Sequence, residues 1–303
     1  MSSASSYNSK QDSKKLDDFK GYDLKSYGMR LAYLKPPLDK YSKDDGLHYG
    51  QKKLFLVEVA FLTRFAHLAD EIVYVGAAPG THLTLLQEFF ADHKFVCYDP
   101  LPFVVTENEK LTIKKQFFTE IDAKEWAAKG KTGKKFLFIS DIRFDGNNEQ
   151  SIVSDMNLQK SWVKIMQPEA SSLKFRLPWW KGKTPYMSGT AYLQPYAPPR
   201  STETRLFSTK ADIDLKAQEE TWDNTDYEAL MFHFNCVARN ERNADKRIER
   251  MIIEEYSAVD GKHADSTNKR ATDMINKFFH LNGADLRNRA KANRSAKQSG
   301  LKK

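Results

Sequence analysis

The sequence predicts an α/β domain built on a mixed, mostly parallel sheet with helices on both faces. Three observations carry that prediction. Short apolar runs at Glu71–Val75, Phe95–Tyr98 and Phe136–Ser140 alternate with longer stretches of helical spacing. The run Phe136-Leu137-Phe138-Ile139 is unbroken, as expected of a central strand covered on both faces. A tight glycine turn, Gly76-Ala77-Ala78-Pro79-Gly80, joins the first strand to an amphipathic helix. At 303 residues the chain can bury a full core.

The elements follow in order. Residues 1–20 are rich in Ser, Lys and Asp and poor in apolar residues, which predicts a disordered tail. Residues 21–282 form the domain, entered through an irregular arm with Tyr22, Tyr27, Tyr33 and Pro36-Pro37. From Gly50 to His67, Leu54, Val57, Phe61 and Phe65 recur at helical spacing. The strand Glu71–Val75, the glycine turn and a helix over Leu83–Phe90 come next. Phe95–Tyr98 ends in Asp99, Leu111–Ile113 is a third strand, and Ile121–Lys129 is a short helix. Phe136–Ser140 ends in Asp141, and a helix over Asp155–Met166 stops before Pro168. Ala170–Arg176 is a strand, Tyr192–Tyr196 and Thr204–Ser208 form a closing hairpin, and helices cover Asp226–Arg239, Asp245–Tyr256 and Thr267–His280. Residues 283–303 carry seven basic residues against one acid and read as a basic, disordered tail.

The glycine turn narrows the chemistry. A dinucleotide site wants three glycines whose N–H groups ring a pyrophosphate. Here Pro79 removes one donor and stiffens the turn. That suits a ligand with an adenosine and a short zwitterionic tail, such as S-adenosylmethionine, although an ordinary strand-to-helix turn has the same outline. Asp99, at the end of the second strand, sits where such folds bond a ribose diol. The formal charge of +8 favours a polyanionic partner. Cys97 and Cys236 lie in apolar segments and read as buried free thiols of a reducing compartment. No Cys or His spacing suggests zinc, no apolar N-terminal region suggests a secretory signal, and no run reaches membrane-spanning length.

Four side chains stand out: Lys53, Asp141, Lys174 and Glu203. Asp141 follows a strand end and borders the presumed crevice. Lys174 lies between Leu173 and Phe175 in a strand, where an unpaired ammonium is costly to bury. Two lysines and two acids also suit a structural ion-pair network. Nearby, Pro178-Trp179-Trp180 beside Lys181-Gly182-Lys183 offers stacking surface next to positive charge, as a flat base or single-stranded RNA requires.

Six segments in order resemble one family. They are Tyr49-Gly50-Gln51-Lys52-Lys53-Leu54, Tyr74–His82, Ile139-Ser140-Asp141-Ile142-Arg143, Ser171–Arg176, Leu193-Gln194-Pro195-Tyr196-Ala197-Pro198 and Glu203-Thr204-Arg205-Leu206. The chain resembles the poxvirus cap-specific mRNA 2′-O-methyltransferases, which also serve as regulatory subunits of the viral poly(A) polymerase. The likeness covers roughly residues 33–240 and leaves both tails out. The Lys-Asp-Lys-Glu tetrad is shared with other RNA ribose 2′-O-methyltransferases.

The resemblance implies a Rossmann-like, S-adenosylmethionine-dependent methyltransferase fold. It implies methylation of the first transcribed nucleotide of capped mRNA, with Lys174 as general base in the tetrad Lys53, Asp141, Lys174 and Glu203. Burial and the second ammonium of Lys53 would lower the Lys174 pKa. Asp141 would orient the amine, and Glu203 would balance charge and fix Lys53. No metal is needed. Around the cofactor it implies Gln51, Tyr74, Gly76, Gly80, His82, Asp99, Phe118 and Asp141, with Leu101 where the family has an arginine. For the cap it implies a sandwich of Tyr33 and Trp179 on 7-methylguanine and Glu228 on the guanine edge, with Lys181 where the family has an acid. A viral poly(A) polymerase catalytic subunit is the implied partner, and the cytoplasmic factory and virion of a large DNA virus are the implied locations. Two other readings remain: a non-catalytic processivity subunit, and a methyltransferase of ribosomal or transfer RNA.

The tail yields a direct expectation. Deleting residues 283–303 should leave cap recognition intact but flatten the salt dependence of binding to long RNA, because fewer counterions are released. Titrations between low and moderate salt measure this, and an unchanged slope contradicts an RNA-binding tail.

Overall fold

The computed structural model describes residues 21–28, 30, 49–198, 201–214, 219–239, 243–259 and 264–281. The predicted tails and the aromatic arm around Tyr33 and Pro36-Pro37 lie outside them.

Seven strands form the main sheet: β1 (Glu71–Val75), β2 (Lys94–Tyr98), β3 (Leu111–Lys114), β4 (Phe136–Ser140), β5 (Ala170–Phe175), β7 (Thr190–Tyr192) and β8 (Thr204–Thr209). Their order is β3-β2-β1-β4-β5-β8-β7. The first five run parallel, and β8 is antiparallel to both β5 and β7. The helices are α1 (Leu24–Tyr27), α2 (Tyr49–Phe65), α3 (Leu83–Phe89), α4 (Glu120–Lys131), α5 (Glu149–Met166), α6 (Lys210–Asp214), α7 (Asn224–His233), α8 (Ala244–Val259) and α9 (Ala264–Leu281). This is the Rossmann-like arrangement that the sequence predicts.

Helices cover both faces because the strands are apolar on both. Every residue of β4 and β5 is buried. On one face Phe136 meets Trp126 of α4 and Phe138 meets Phe118, while α4 and α5 pack on each other. On the other, Phe61 of α2 meets Phe207 of β8 with ring centroids 5.1 Å apart, and α2 packs with α3 and α8. Helix α8 in turn packs on α9.

Several elements depart from the sequence reading, each for a local reason. Helix α5 starts at Glu149 rather than Asp155, because the Asn148 side chain caps it by accepting the N–H groups of Gln150 at 2.9 Å and Ser151 at 3.2 Å. The polar first turn hides that start from an apolar pattern. The hairpin strand is Thr190–Tyr192, not Tyr192–Tyr196. Pro195 has no N–H to give a ladder, and Tyr196 turns left-handed with φ 60°. Helix α7 runs into a π-helical turn, Phe234–Ala238, instead of continuing regularly to Arg239. Strands β6 (Lys183–Tyr186) and β9 (Glu220–Asp223) make a small separate antiparallel sheet that was not predicted, since each is four residues long and β6 contains Pro185. Cys97 is buried as expected, but Cys236 is partly exposed.

The topology fixes where a ligand can sit. The chain leaves β1 toward β2 on one side and leaves β4 toward β5 on the other, so a crevice opens between the carboxyl ends of β1 and β4. Gly76 and Asp141 stand at its two lips. The backbone there is so close that a Cβ on Gly76 would fall 2.9 Å from the Asp141 carbonyl carbon, and Gly76 also has φ 80°. Only glycine meets both demands.

Candidate active site

Strand register brings the central charges together. The β4–β5 ladder ends at the pair Ser140 and Leu173, so Lys174 lies one residue beyond the reach of β4. Its backbone N–H and carbonyl are instead satisfied by the Gln159 side chain of α5, at 3.2 and 3.0 Å. On its other side Lys174 pairs with Arg205 of β8, which sets two cations side by side on one face of the sheet. The Asp141 carboxylate bridges them. Its Oδ1 lies 3.1 Å from Lys174 Nζ and accepts a hydrogen bond from Arg205 Nη2.

Glu203 completes the cluster. Its Oε1 accepts from Lys53 Nζ at 2.8 Å and from Gln194 Nε2 at 3.2 Å, and its Oε2 lies 3.7 Å from Lys174 Nζ. Gln194 also accepts from Arg205 Nε at 3.2 Å. The four sequence-predicted residues Lys53, Asp141, Lys174 and Glu203 are therefore gathered in one constellation, with Lys174 buried and the other three partly buried.

Its electrostatics follow from burial and neighbours. Burial lowers the Lys174 pKa below that of a free lysine; Asp141 and Glu203 oppose this, and the cations Arg205 and Lys53 reinforce it. Burial works to raise Asp141, yet Arg205, Lys174 and Lys53 outweigh it and hold that carboxyl at about 2. Glu203 is likewise pulled well below the usual carboxylate range, mainly by Lys174 and Lys53 against the penalty of burial. The cluster thus joins two firmly ionised acids to a lysine eased toward its neutral form.

Beside it lies a cavity of about 580 Å³ with Gly76, Asp99, Phe118 and Asp141 among its walls. Leu101, Ile142 and Trp162 supply apolar surface. Asp99 is anchored by the N–H groups of Ala78 at 3.1 Å and Leu101 at 2.9 Å. A volume of this size, apolar walls and one fixed acid fit a nucleoside.

The other predicted cofactor residues sit behind that wall. His82 is buried, with Nδ1 2.9 Å from Gln51 Oε1 and Nε2 2.9 Å from Glu58 Oε2. Buried Tyr74 donates its hydroxyl to the same Glu58, and Gln51 also accepts from Thr81. None of Gln51, Tyr74, Gly80 and His82 lines the cavity. Gln51, Glu58, Tyr74, Thr81 and His82 form a hydrogen-bonded layer beside the glycine turn.

The predicted cap residues are split. Tyr33 lies outside the described residues. Trp179 is 55% exposed, with the Arg176 guanidinium 4.4 Å from its ring centre. Arg176 in turn bonds Glu149, whose Oε2 accepts the Trp179 backbone N–H at 3.0 Å. Glu228 is half-buried beside this group, and burial raises its carboxyl, with Arg176 pulling the other way. Lys181 is exposed.

Sequence reasoning missed Arg205, Gln194, Arg143 and Glu58. Arg205 carried a signal related to that of Lys174, a cation inside a strand run with apolar residues on one side (Thr204-Arg205-Leu206-Phe207). Glu58 was the lone acid in the apolar run Phe55–Leu62. Among the described residues no group of His, Cys, Asp and Glu is arranged to hold a metal ion, and no helix is long and apolar enough to cross a membrane.

The low Asp141 pKa has a consequence for stability. A depressed carboxyl stabilises the fold above its ordinary pKa of 3.8, and that contribution is lost as pH falls toward about 2. Lys174 acts in the opposite sense: its buried ammonium is costly at low pH, and the cost is relieved as pH rises toward the free-lysine value of 10.5. In Asp141→Asn the loss of stability between pH 5 and 2 should therefore shrink by about 2 kcal/mol. Urea unfolding at stepped pH measures it, and equal declines in the two proteins contradict the assignment.

Comparison with known proteins places this geometry in context. Residues 37–298 match the family described as Poly A polymerase regulatory subunit. The cap-specific mRNA (nucleoside-2′-O-)-methyltransferase of Myxoma virus (strain Lausanne) is 31% identical over 214 residues, covering 64% of this chain and 62% of that protein. The protein of the same name from Fowlpox virus (strain NVSL) is 31% identical over 213 residues, covering 63% of this chain and 68% of that one. The chain thus spans less than two thirds of the length of the Myxoma virus relative. Among solved structures, bluetongue virus VP4, described as a multifunctional RNA-capping production line, aligns with a TM-score of 0.49 and 17% identity. That alignment covers 80% of this chain and 43% of VP4.

Proposed function

The chain belongs to the poly A polymerase regulatory subunit family, and from that premise we propose that it is an S-adenosylmethionine-dependent methyltransferase. Its target on this reading is the 2′-hydroxyl of the first transcribed nucleotide of capped mRNA. One observation carries the proposal: a buried lysine with a lowered pKa, held between two carboxylates at the edge of a nucleoside-sized cavity. The names of the Myxoma and Fowlpox virus relatives support the same reading.

S-adenosylmethionine, when bound, supplies an electrophilic methyl group. Asp99 would take its ribose diol, and the wall of Leu101, Phe118, Ile142 and Trp162 its adenine. The remaining chemistry belongs to the protein. A ribose hydroxyl is a poor nucleophile until its proton is shared, and Lys174 in its amine form is the acceptor. Asp141 aims the amine. Once the proton arrives, Asp141 and Glu203 stabilise the resulting ammonium. Lys53 and Arg205 keep both acids ionised, so the proton stops at Lys174.

For the cap, the Trp179 ring offers one face, since Arg176 lies over the other. A 7-methylguanine on that face gains stacking and, through its positive charge, cation–π attraction. Glu228 would accept from the guanine edge, Tyr33 would close the sandwich, and exposed Lys181 would meet the triphosphate. The family description also favours a second role, beside a poly(A) polymerase catalytic subunit.

Two variants test the reading. Lys174→Ala should cut methyl transfer by roughly 10²–10⁴-fold while S-adenosylmethionine still binds, and Lys174→Arg should not restore it, because a guanidinium keeps its proton. Labelled-methyl assays alongside calorimetry measure both, and unimpaired turnover in either variant contradicts the role of the amine. Trp179→Ala should remove most of the preference for a methylated over an unmethylated cap analogue, a loss of about 1–2 kcal/mol. Titration of both analogues measures it, and equal affinities in the wild-type protein contradict the sandwich.

A further inference from the structure

One buried acid near the cavity has no part in the chemistry above. Asp155, in the second turn of α5, is 2% exposed. Its Oδ2 accepts the backbone N–H of Phe144 at 3.1 Å and lies 3.5 Å from Arg143 Nη1. Arg143 and Phe144 belong to the connection that leaves β4 after Asp141, and both line the cavity. Arg143 brings its Nη2 to 3.9 Å from Glu203 Oε2. Phe144 stacks on Phe117 at the cavity mouth, with centroids 6.2 Å apart and planes 23° apart. Both rings are more than half exposed. A carboxylate is buried at a cost unless it is paired, and the partners of Asp155 are the two residues that form this rim.

The far end of the same connection is held separately. Arg176 donates to the Gly146 carbonyl at 3.3 Å, and Arg176 belongs to the Trp179 group. Removing Asp155 should therefore release the rim at Arg143 and Phe144 while leaving the Trp179 end fixed.

We propose that Asp155 is a positioning residue: it fixes Arg143 and the Phe144 backbone and so sets the outer wall of the cofactor cavity. This rests on the proposed function, which assigns that cavity to S-adenosylmethionine. Holding the rim in place before binding spares the ligand the entropy of ordering it.

The test is calorimetric binding of S-adenosylhomocysteine to the wild-type chain, Asp155→Ala, Asp155→Asn and Phe144→Ala. Binding of a 7-methylguanosine cap analogue and thermal melting are followed in parallel. In Asp155→Ala the Kd for S-adenosylhomocysteine should rise roughly tenfold or more, the scale of losing a hydrogen bond to a charged group. Asp155→Asn should show a smaller rise, because its amide oxygen still accepts from Phe144. Cap-analogue affinity should stay within about twofold in both, a separation that general damage to the fold would not produce. Phe144→Ala, which alters an exposed side chain, should also weaken S-adenosylhomocysteine binding, and it decides the matter if Asp155→Ala does not fold. Unchanged S-adenosylhomocysteine affinity in folded Asp155→Ala or in Phe144→Ala overturns the inference, as does equal loss of both ligands. If the wild-type chain binds no S-adenosylhomocysteine, the proposed function falls, and this inference with it.

Discussion

Lys174 and Arg205 face each other across the β5–β8 ladder, and two cations in that relation repel unless an anion lies between them. Asp141 is that anion. It is available because β4 stops at Ser140, so the next residue can turn out of the sheet toward its neighbours. The same early stop strips Lys174 of backbone partners on that side, and Gln159 replaces them from α5. Across the crevice, Gly76 yields the room that Asp141's backbone takes up. The position of one carboxylate thus ties together strand length, the glycine turn and the helix behind the sheet.

The arrangement is also suited to proton transfer. A lysine buried among apolar groups alone would be neutral but unaimed, and one on the surface would keep its charge. Here burial eases the amine toward its neutral form, while Asp141 and Glu203 preserve the capacity to hold a proton. Lys53 and Gln194 donate to Glu203, and Arg205 donates to Asp141, so each acid is held by a donor besides Lys174.

The sheet was legible because apolar runs and the glycine turn are local signals. Phe136–Ser140 and Glu71–Val75 were readable to the residue. Asp141 was found as a charge at a strand end and Lys174 as a charge between apolar residues, and the family resemblance joined Lys53 and Glu203 to them. Arg205 escaped although it had a related local signature, since its role depends on a register that pairs it with Lys174. The support given by Glu58 to Tyr74 and His82 is a contact between α2 and the glycine turn, and no spacing along the chain encodes it. The small sheet β6–β9 joins segments more than thirty residues apart, each too short to show a period. At the site, what sequence withheld was pairing between distant segments, while the misjudged element ends had local causes, such as the Asn148 cap of α5.

The central claim is that the buried lysine directs a methyl group to a ribose hydroxyl of capped RNA. Incubation of the chain with labelled S-adenosylmethionine and short RNA, capped or uncapped, followed by digestion to nucleosides, tests it most directly. The account predicts label on the 2′-oxygen of the first transcribed nucleotide, and only in the capped RNA. Label on a base, equal label in uncapped RNA, or none in either would contradict it.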